Sequence, residues 1–546
     1  IAPAMLFPEP SDLATEGGVG GTPRPLDASA RPFNRNLNEA QRGAVQAIVR
    51  GEAKNVPYVL FGPPGTGKTT TVVEAVLQCA KYLPSALGKP FHILLCAPTN
   101  TAVDFVSSKL AKTLCSKKEL LRFVAYSRTL SDLPRELVSP QNLTNWNSSS
   151  GTFETPTLEE LCTPIVVATS LCKAGDLVNE GVPRRHFDLV VVDESGQAIE
   201  QEAMAAIGCL LGPNGQLCLA GDPKQLGPVV HHHVAKENGL GTSYLERIMD
   251  RPLYQRNPAT GKYDRRVLTK LVENYRSHEA LLRLPNRLFY EGDLVSRVDP
   301  HIGDSCLDWE GLPVTGGMPI LWHGVQGKDS REANSPSWFN PDEATQVLSF
   351  VQDLLAMRRN APKPEDIGVI SPYNKQVQKI NMTLLSRGVS GVKVGSTEVF
   401  QGQERRVIIL STVRSSPAWV DFDLKHNLGF LDNPKRFNVA TTRAQALLIV
   451  VGNPFVLAGD TNWRELLKYC VSNGAYTGVP LPADFLRDGG NTGGSGGGGG
   501  DDDEIQGVGA SADEVDSLTQ EFEELLLGDG PSQRLLQEGM EMPSHE

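Results

Sequence analysis

Gly62-Pro63-Pro64-Gly65-Thr66-Gly67-Lys68-Thr69 sets glycines, a lysine and a hydroxyl at the spacing that phosphate chemistry requires. Glycines let the backbone come close, so that successive N–H groups and a helix N-terminus wrap a phosphate. Lys68 would then reach the β- and γ-phosphates and the Thr69 hydroxyl would hold Mg²⁺, with Thr70 in the same nucleotide-binding set. A second group, Asp193-Glu194, ends an apolar run. There Asp193 would complete the Mg²⁺ shell, and Glu194 would orient or deprotonate an attacking water. In Gly221-Asp222-Pro223-Lys224-Gln225-Leu226, Gln225 is placed to sense the γ-phosphate. These residues predict a nucleoside triphosphate and Mg²⁺ as ligands and hydrolysis as the chemistry, and alone they say no more.

The positioning elements are legible around them. Tyr58–Phe61 is a short apolar strand entering the glycine-rich turn, and Val72, Ala75, Val76 and Leu77 give the helix leaving it. His92–Pro98, Val166–Ser170, Phe187–Val192 and Gln216–Ala220 read as further buried strands. Small polar residues after Pro98, beginning with Thr99 and Asn100, suit contact with a ligand backbone. Upstream, Asn38 caps a helix whose buried face is Ala44, Val45, Ile48 and Val49. On it, Gln41 suits an adenine edge, an exposed helical glutamine being the plainer reading. From about 105 to 165 the pattern degrades into basic clusters (Lys109, Lys112, Lys117, Lys118, Arg122) and the Ser-rich Asn145–Gly151, which predicts an inserted subdomain. His231-His232-His233 cannot easily converge on one metal and reads as a solvated loop.

After Pro252 and the polar stretch Arg256–Arg266 comes a second set of strands and helices. It carries Asn274–His278, Ile367–Ser371, Ser396–Glu404, Val407–Val413 and Asn438–Ala444 leading into Leu447–Val451. Strands alternating with helical patterns predict parallel sheets. This half has arginines in place of a phosphate loop.

Composition bounds the rest. The chain has 546 residues and a net charge of −12, but residues 488–546 hold fifteen acidic residues against the single basic Arg534, leaving +2 for residues 1–487. The acidity is therefore local, and basic patches remain open to the globular part. Nine cysteines, none in C-x-x-C, fit reduced thiols in the cytosol or nucleus. No apolar run reaches the roughly 18 residues of a membrane span. The chain starts at Ile1 with no signal peptide pattern and reads as a fragment of a longer protein. The expected layout is an extended lead-in (1–36), a first parallel-sheet domain (37–252, insert about 105–165), a second (253–487), and a Gly-rich linker with an acidic disordered tail (488–546). Within that tail Val515, Leu518, Phe522, Leu525 and Leu526 fall at helical spacing, with disorder in isolation expected.

Taken in order, these pieces resemble a superfamily 1 helicase. Gly62–Thr69 matches motif I, Pro98–Asp104 motif Ia, Asp193–Gln197 motif II and Gly221–Pro228 motif III. Tyr275-Arg276 matches motif IV, Ser396–Glu404 motif V and Val439–Arg443 motif VI. The match runs from about Leu37 to Leu486. Its form is similar to the up-frameshift-type branch, and Leu219–Arg247, Ser335–Ala344, Val394–Val413 and Asn427–Pro454 resemble the Armitage and Moloney leukaemia virus ten clade of RNA-silencing helicases.

The resemblance implies an α/β fold of two RecA-like parallel-sheet domains, a P-loop NTPase helicase core. It implies an ATP-dependent monomeric motor on single-stranded RNA, with 5′→3′ travel. It further implies a cytoplasmic setting that includes ribonucleoprotein granules, protein partners in silencing or decay complexes, and no membrane. Gln41 would read adenine, Tyr275 would stack on it, and Glu404 would contact the ribose. Gly62 through Thr70 would cradle the phosphates. Arg276 and Arg443 would act as cis arginine fingers across the interdomain cleft. Pro98, Thr99, Asn100, Thr169, Ser170 and Ser396 would hold the nucleic-acid backbone. One departure is Ser195, where the clade usually has Ala. Two other classes fit part of the pattern. A DNA helicase shares the backbone contacts, since only 2′-hydroxyl contacts report RNA. A nucleotide-gated switch would lack the motif IV–VI set and is also disfavoured by the absence of N-K-x-D.

Overall fold

Asn38 opens α1 (Glu39–Arg50), its side chain accepting from the Gln41 N–H, and Gly51 closes the helix at φ 68°. Ala44, Val45, Ile48 and Val49 are buried, as the 3.6-residue spacing requires. The computed structural model describes residues 3–13, 24, 31–53, 55–230, 232–314, 317–332, 337–416, 429–431, 433–482 and 485. The Gly-rich linker and acidic tail expected at 488–546, and His231 of the histidine run, lie outside the described residues. The chain divides into two units, Ile1–Tyr275 and Arg276–Glu546.

In the first unit, β1 (Tyr58–Phe61) is buried at every residue and feeds α2 (Lys68–Leu87). Then follow β2 (Ile93–Ala97), α3 (Asn100–Leu110), β3 (Leu120–Arg122), β4 (Val166–Ser170), α4 (Leu171–Asn179), β5 (Phe187–Val192), β6 (Leu211–Gly221) and β7 (Leu268–Lys270). Among the described residues these strands form one sheet, ordered β3-β4-β2-β5-β6-β1-β7, with every pairing parallel. A parallel sheet covered on both faces needs apolar residues without alternation, which is why its central strands read as continuous runs.

Four expectations change here. β7 pairs with β1, so residues 253–275 belong to the first unit and the boundary falls after Tyr275 instead of Pro252. A three-residue strand after a polar stretch is too short for periodicity to reveal. The insert is also narrower than 105–165, because α3 and β3 are part of the sheet layer. What lies outside that layer is 123–164, with its own small cluster of Val124, Leu133 and Phe153. Within it Trp146–Asn147 pairs antiparallel with Thr152–Phe153. Arg122, expected in a basic surface cluster, is fully buried. It donates to Asp104 Oδ1 (2.8 Å), the Phe123 carbonyl (2.6 Å) and Asn100 Oδ1 (3.0 Å). Finally, the start of the lead-in is not extended. Pro3–Leu6 is a short helix that buries Met5, and Leu13 is buried as well. The Met5 carbonyl accepts from Tyr244 Oη, and the Leu6 carbonyl accepts from Arg247 Nη1 at 2.9 Å.

The second unit runs α5 (Glu279–Phe289), β8 (Ile320–Gly324), α6 (Pro341–Leu355), β9 (Ile367–Ile370), α7 (Asn374–Ser386), β10 (Lys393–Gly395), β11 (Arg405–Ser411), α8 (Pro434–Thr441), β12 (Ala444–Gly452), α9 (Thr461–Ser472) and β13 (Tyr476–Gly478). Among the described residues its sheet, also parallel, is ordered β10-β9-β11-β12-β8-β13. Leu448 and Val450 fall in one hydrophobic cluster, Leu447, Ile449 and Val451 in another. With the strand period of two, that is one core on each face. These parallel sheets give two RecA-like domains.

Past β11 the backbone turns sharply at Val413, which sits at φ 73°. A β-branched residue there is strained, and the fully buried Glu343 holds it. The Glu343 carboxylate accepts from the Val413 N–H at 2.9 Å and from Ser411 Oγ at 2.7 Å. Burial pushes its pKa up to about 7 despite these bonds. A carboxyl whose folded pKa lies above its ordinary 4.5 favours folding most at low pH, and that advantage is lost as pH rises through the folded value. The stability difference between the native chain and Glu343→Gln, from urea denaturation, should therefore fall between about pH 5 and 7, approaching 1.4 kcal/mol per pH unit. A difference independent of pH would place this carboxyl at its ordinary value.

Candidate nucleotide and nucleic-acid site

The phosphate loop is fixed at both ends. The Gly62 N–H donates to the Gly221 carbonyl (3.0 Å), tying the loop to the end of β6, and Thr66 Oγ1 donates to the Pro63 carbonyl (2.7 Å). A Cβ on Gly62 would lie 2.6 Å from Lys68 Cβ, and one on Gly67, at φ 80°, would lie 2.5 Å from Gln41 Nε2. Only glycine fits at either place.

Lys68 Nζ lies 2.7 Å from Glu194 Oε1 and 3.6 Å from Asp193 Oδ1. Burial lowers the lysine pKa, but the two carboxylates more than offset this and leave it above its ordinary value. Burial raises the Asp193 carboxyl against the pull of Lys68. Glu194 adopts φ 51°, a left-handed conformation at the strand-to-turn corner, and Gln197 Nε2 donates to its Oε2 at 3.2 Å. Gln225 Nε2 donates to Asp222 Oδ2 at 2.8 Å. Ser195 Oγ donates to the Ala220 carbonyl at 2.9 Å, so the serine at this motif position is satisfied within the sheet.

This donor set fits a magnesium nucleotide. The glycine cradle and the N-terminus of α2 suit phosphate. One hydroxyl (Thr69) and one carboxylate (Asp193) are hard oxygen ligands of the sparse kind that Mg²⁺ takes beside phosphates and water.

On the base side, Gln41 is beside the loop as expected, but it is buried and its carboxamide is engaged. Oε1 accepts from the Asn38 N–H (3.0 Å) and Nε2 donates to the Thr66 carbonyl (3.1 Å). Tyr275 is 44% exposed. Its N–H donates to the Gly65 carbonyl (2.8 Å), and its hydroxyl accepts from Asn38 Nδ2 (3.0 Å). Asn274, not singled out from the sequence, is fully buried and donates to the Pro64 carbonyl at 2.6 Å. β7 thus delivers Asn274 and Tyr275 to the phosphate loop.

In the second unit the two arginines are not surface charges. Arg276 is 9% exposed and Arg443 1%. Arg276 Nε donates to Glu404 Oε2 at 2.5 Å and its Nη1 to the Thr442 carbonyl at 3.1 Å. Arg443 donates to the carbonyls of Val439 (3.1 Å) and Gln403 (3.2 Å). Burial raises the Glu404 carboxyl, yet the Arg276 charge wins and holds it below the usual range. Glu404 Oε1 also accepts from Gln445 Nε2 at 3.1 Å.

The expected strand contacts divide. Pro98, Thr99 and Asn100 stand at the carboxyl end of β2, with Thr99 capping α3. Ser170 caps α4. Ser396 follows β10 and accepts from the Val399 N–H at 3.5 Å. Thr169 is a correction: it is fully buried and its hydroxyl donates to the Phe123 carbonyl at 3.0 Å, so it braces the sheet and meets no ligand. Sequence reasoning missed Ser371 and Thr397, whose buried hydroxyls make no hydrogen bond among the described residues. Ser371 lies one residue beyond β9 and its N–H donates to the Gly395 carbonyl (3.1 Å), beside Ser396. A hydroxyl closing an apolar strand run was the available signal.

Comparison with known proteins finds related families and relatives. Two families described as AAA domain match the chain, one over residues 36–146 and 161–233, the other over 241–454. The human RNA helicase Mov10l1 is 44% identical over 457 residues, 82% of this chain and 36% of that protein. The zebrafish (Danio rerio) putative helicase mov-10-B.1 is 43% identical over 84% of this chain and 46% of its own length. The Drosophila melanogaster probable RNA helicase armi is 37% identical over 84% and 40%. The chain thus spans less than half the length of these curated relatives.

The loop geometry gives a test. Gly62→Ala pushes a methyl against the stem of Lys68, an overpacking that costs about 1–3 kcal/mol. Binding of a fluorescent ATP analogue should weaken by about tenfold or more, and the melting temperature should fall by a few degrees. Unchanged affinity would mean that the loop accommodates a side chain there.

Proposed function

The chain belongs to the up-frameshift-like superfamily 1 helicases, in the group that holds Mov10 and armi, and from that premise we propose that it is an ATP-driven motor travelling 5′→3′ along single-stranded RNA. The observation that carries the proposal is the placement of Lys68 against Glu194 and Asp193 at the phosphate loop. In this arrangement the ammonium both screens the two carboxylates and occupies Glu194. A triphosphate in the loop would compete for Lys68, and loss of that ion pair would release Glu194 Oε1 to act as a base toward a water. Asp193 and Thr69 would hold Mg²⁺, which when bound neutralises charge on the β- and γ-phosphates. Gln225 would report the γ-phosphate to Asp222. Arg276 and Arg443 would neutralise charge as the β–γ bond breaks.

Adenine would lie against the Tyr275 ring and the Asn38–Gln41 turn, and the ribose near Glu404. Pro98, Thr99, Asn100, Ser170 and Ser396 would hold the strand backbone through uncharged groups, without sequence preference. The setting we propose is cytoplasmic RNA silencing or decay, as a monomer acting with protein partners of those complexes.

The deciding experiment is the ATPase rate of the native chain with single-stranded RNA, single-stranded DNA and no strand. RNA should stimulate most. Equal stimulation by DNA would remove the RNA assignment, and none by either would leave a nucleotide switch. Lys68→Ala and Glu194→Gln should both abolish turnover, but only the first should weaken nucleotide binding, because the second keeps the pocket. Matching losses of affinity would contradict the division of roles.

Arg443→Ala should lower turnover by about 10³-fold with a smaller effect on ATP affinity, since a finger acts on transition-state charge. Steady-state kinetics beside nucleotide titration checks this, and near-normal turnover would return Arg443 to a structural role.

A further inference from the structure

On the second unit α5 and α9 enclose a groove of about 300 Å³ whose floor is Leu284 and Tyr469. Its rims are basic, with Arg283 and Arg287 one helical turn apart on α5 and Lys468 on α9, against the single acid Glu465. The rim ion pairs are exposed or half-buried: Arg283 with Glu279 at 3.6 Å, and Glu465 shared between Arg287 at 2.6 Å and Lys468 at 3.7 Å. Exposed pairs of this kind are worth little and exchange readily for other carboxylates.

The chain itself contains the complement. Val515, Leu518, Phe522, Leu525 and Leu526 recur at helical spacing, and Ser511 with Glu514 three residues on is a capping-box pattern, with Gly528 as the stop. At 100° per residue the apolar stripe is flanked by Glu514 and Glu521 on one side and by Asp516 and Glu523 on the other. That is an apolar ridge with two acidic shoulders, to set in an apolar floor with two basic rims.

We propose that this groove is the docking site of the chain's own segment Ser511–Leu527. Continuity favours this occupant. Leu481 and Phe485, the last described apolar residues, pack against the same hydrophobic cluster that contains Leu284 and Leu466. The described chain therefore ends against the core cluster to which the groove residue Leu284 belongs. The 23 residues 488–510, mostly glycine and acid, span roughly 25 Å as a flexible coil. At that reach the effective concentration is in the millimolar range, so a weak helix-in-groove contact suffices.

Zero-length carbodiimide cross-linking of the full chain, mixed from isotopically light and heavy protein, tests the proposal. The expected products join Lys468 to Glu514, Glu521 or Glu523 within one chain. Arg283→Glu with Arg287→Glu should cut their yield by about tenfold, the effect of roughly 1.4 kcal/mol. Glu514→Lys with Glu521→Lys, added to that variant, should restore docking through new links to the reversed rim. Leu526→Glu leaves the second unit untouched and must also lower the yield. Tail acids that link to lysines elsewhere, or to none, would overturn the assignment. Links joining light to heavy chains would give the groove to a second copy and overturn it equally.

Discussion

Lys68 is buried beside two carboxylates, and the first unit is arranged around the cost of that placement. Each charge taken from water carries a penalty of several kcal/mol, recovered only where partners are held in good geometry. The phosphate loop holds the lysine, the corner after β5 holds Asp193 and Glu194, and parallel pairing of β1, β6 and β5 sets the distance between them. Glu194 accepts a left-handed backbone to complete the triad. The cost of burying that lysine is offset by its ion pairs with Glu194 and Asp193.

The second unit repeats the architecture with different chemistry at its strand ends. Where the first unit has a glycine-rich loop, the second has the buried arginines Arg276 and Arg443, held by backbone carbonyls and Glu404. Carbonyl acceptors orient the Arg443 guanidinium, and its charge also helps to hold the Glu404 carboxyl below the usual range. Glu343 plays the matching role for the backbone after β11, where a strained turn carries the chain away from the sheet.

Hydroxyls at strand ends do double duty. Thr99 and Ser170 each close a strand and cap the helix that follows, and a capping residue is already oriented with its oxygen outward from the sheet. Thr169, one residue earlier in β4, points to the opposite face and is spent on Phe123. A single step along a strand separates a group that a ligand can reach from one that braces the core.

The motif residues and the two parallel sheets were legible because each rests on local chemistry: a glycine pattern between strand and helix, an acidic pair after an apolar run, and strands buried on both faces. Asn38 and the α1 face were equally plain, since capping and periodicity are short-range, whereas Gln41, which reads more plainly as an exposed helical residue, is buried and bonded to the Thr66 carbonyl. What only the tertiary structure decided were matters of partner and depth. β3 and β7 are three residues long and acquire meaning only from the strands they pair with, and through them the insert shrank and the unit boundary moved to Tyr275. Arg122 reads as a surface cation until Asp104 and Asn100 are seen to enclose it. Asn274 and Thr397 carry no pattern of their own. Side-chain type and spacing determine what chemistry a chain can offer, whereas burial is a property of neighbours distant in sequence, and only folding supplies them.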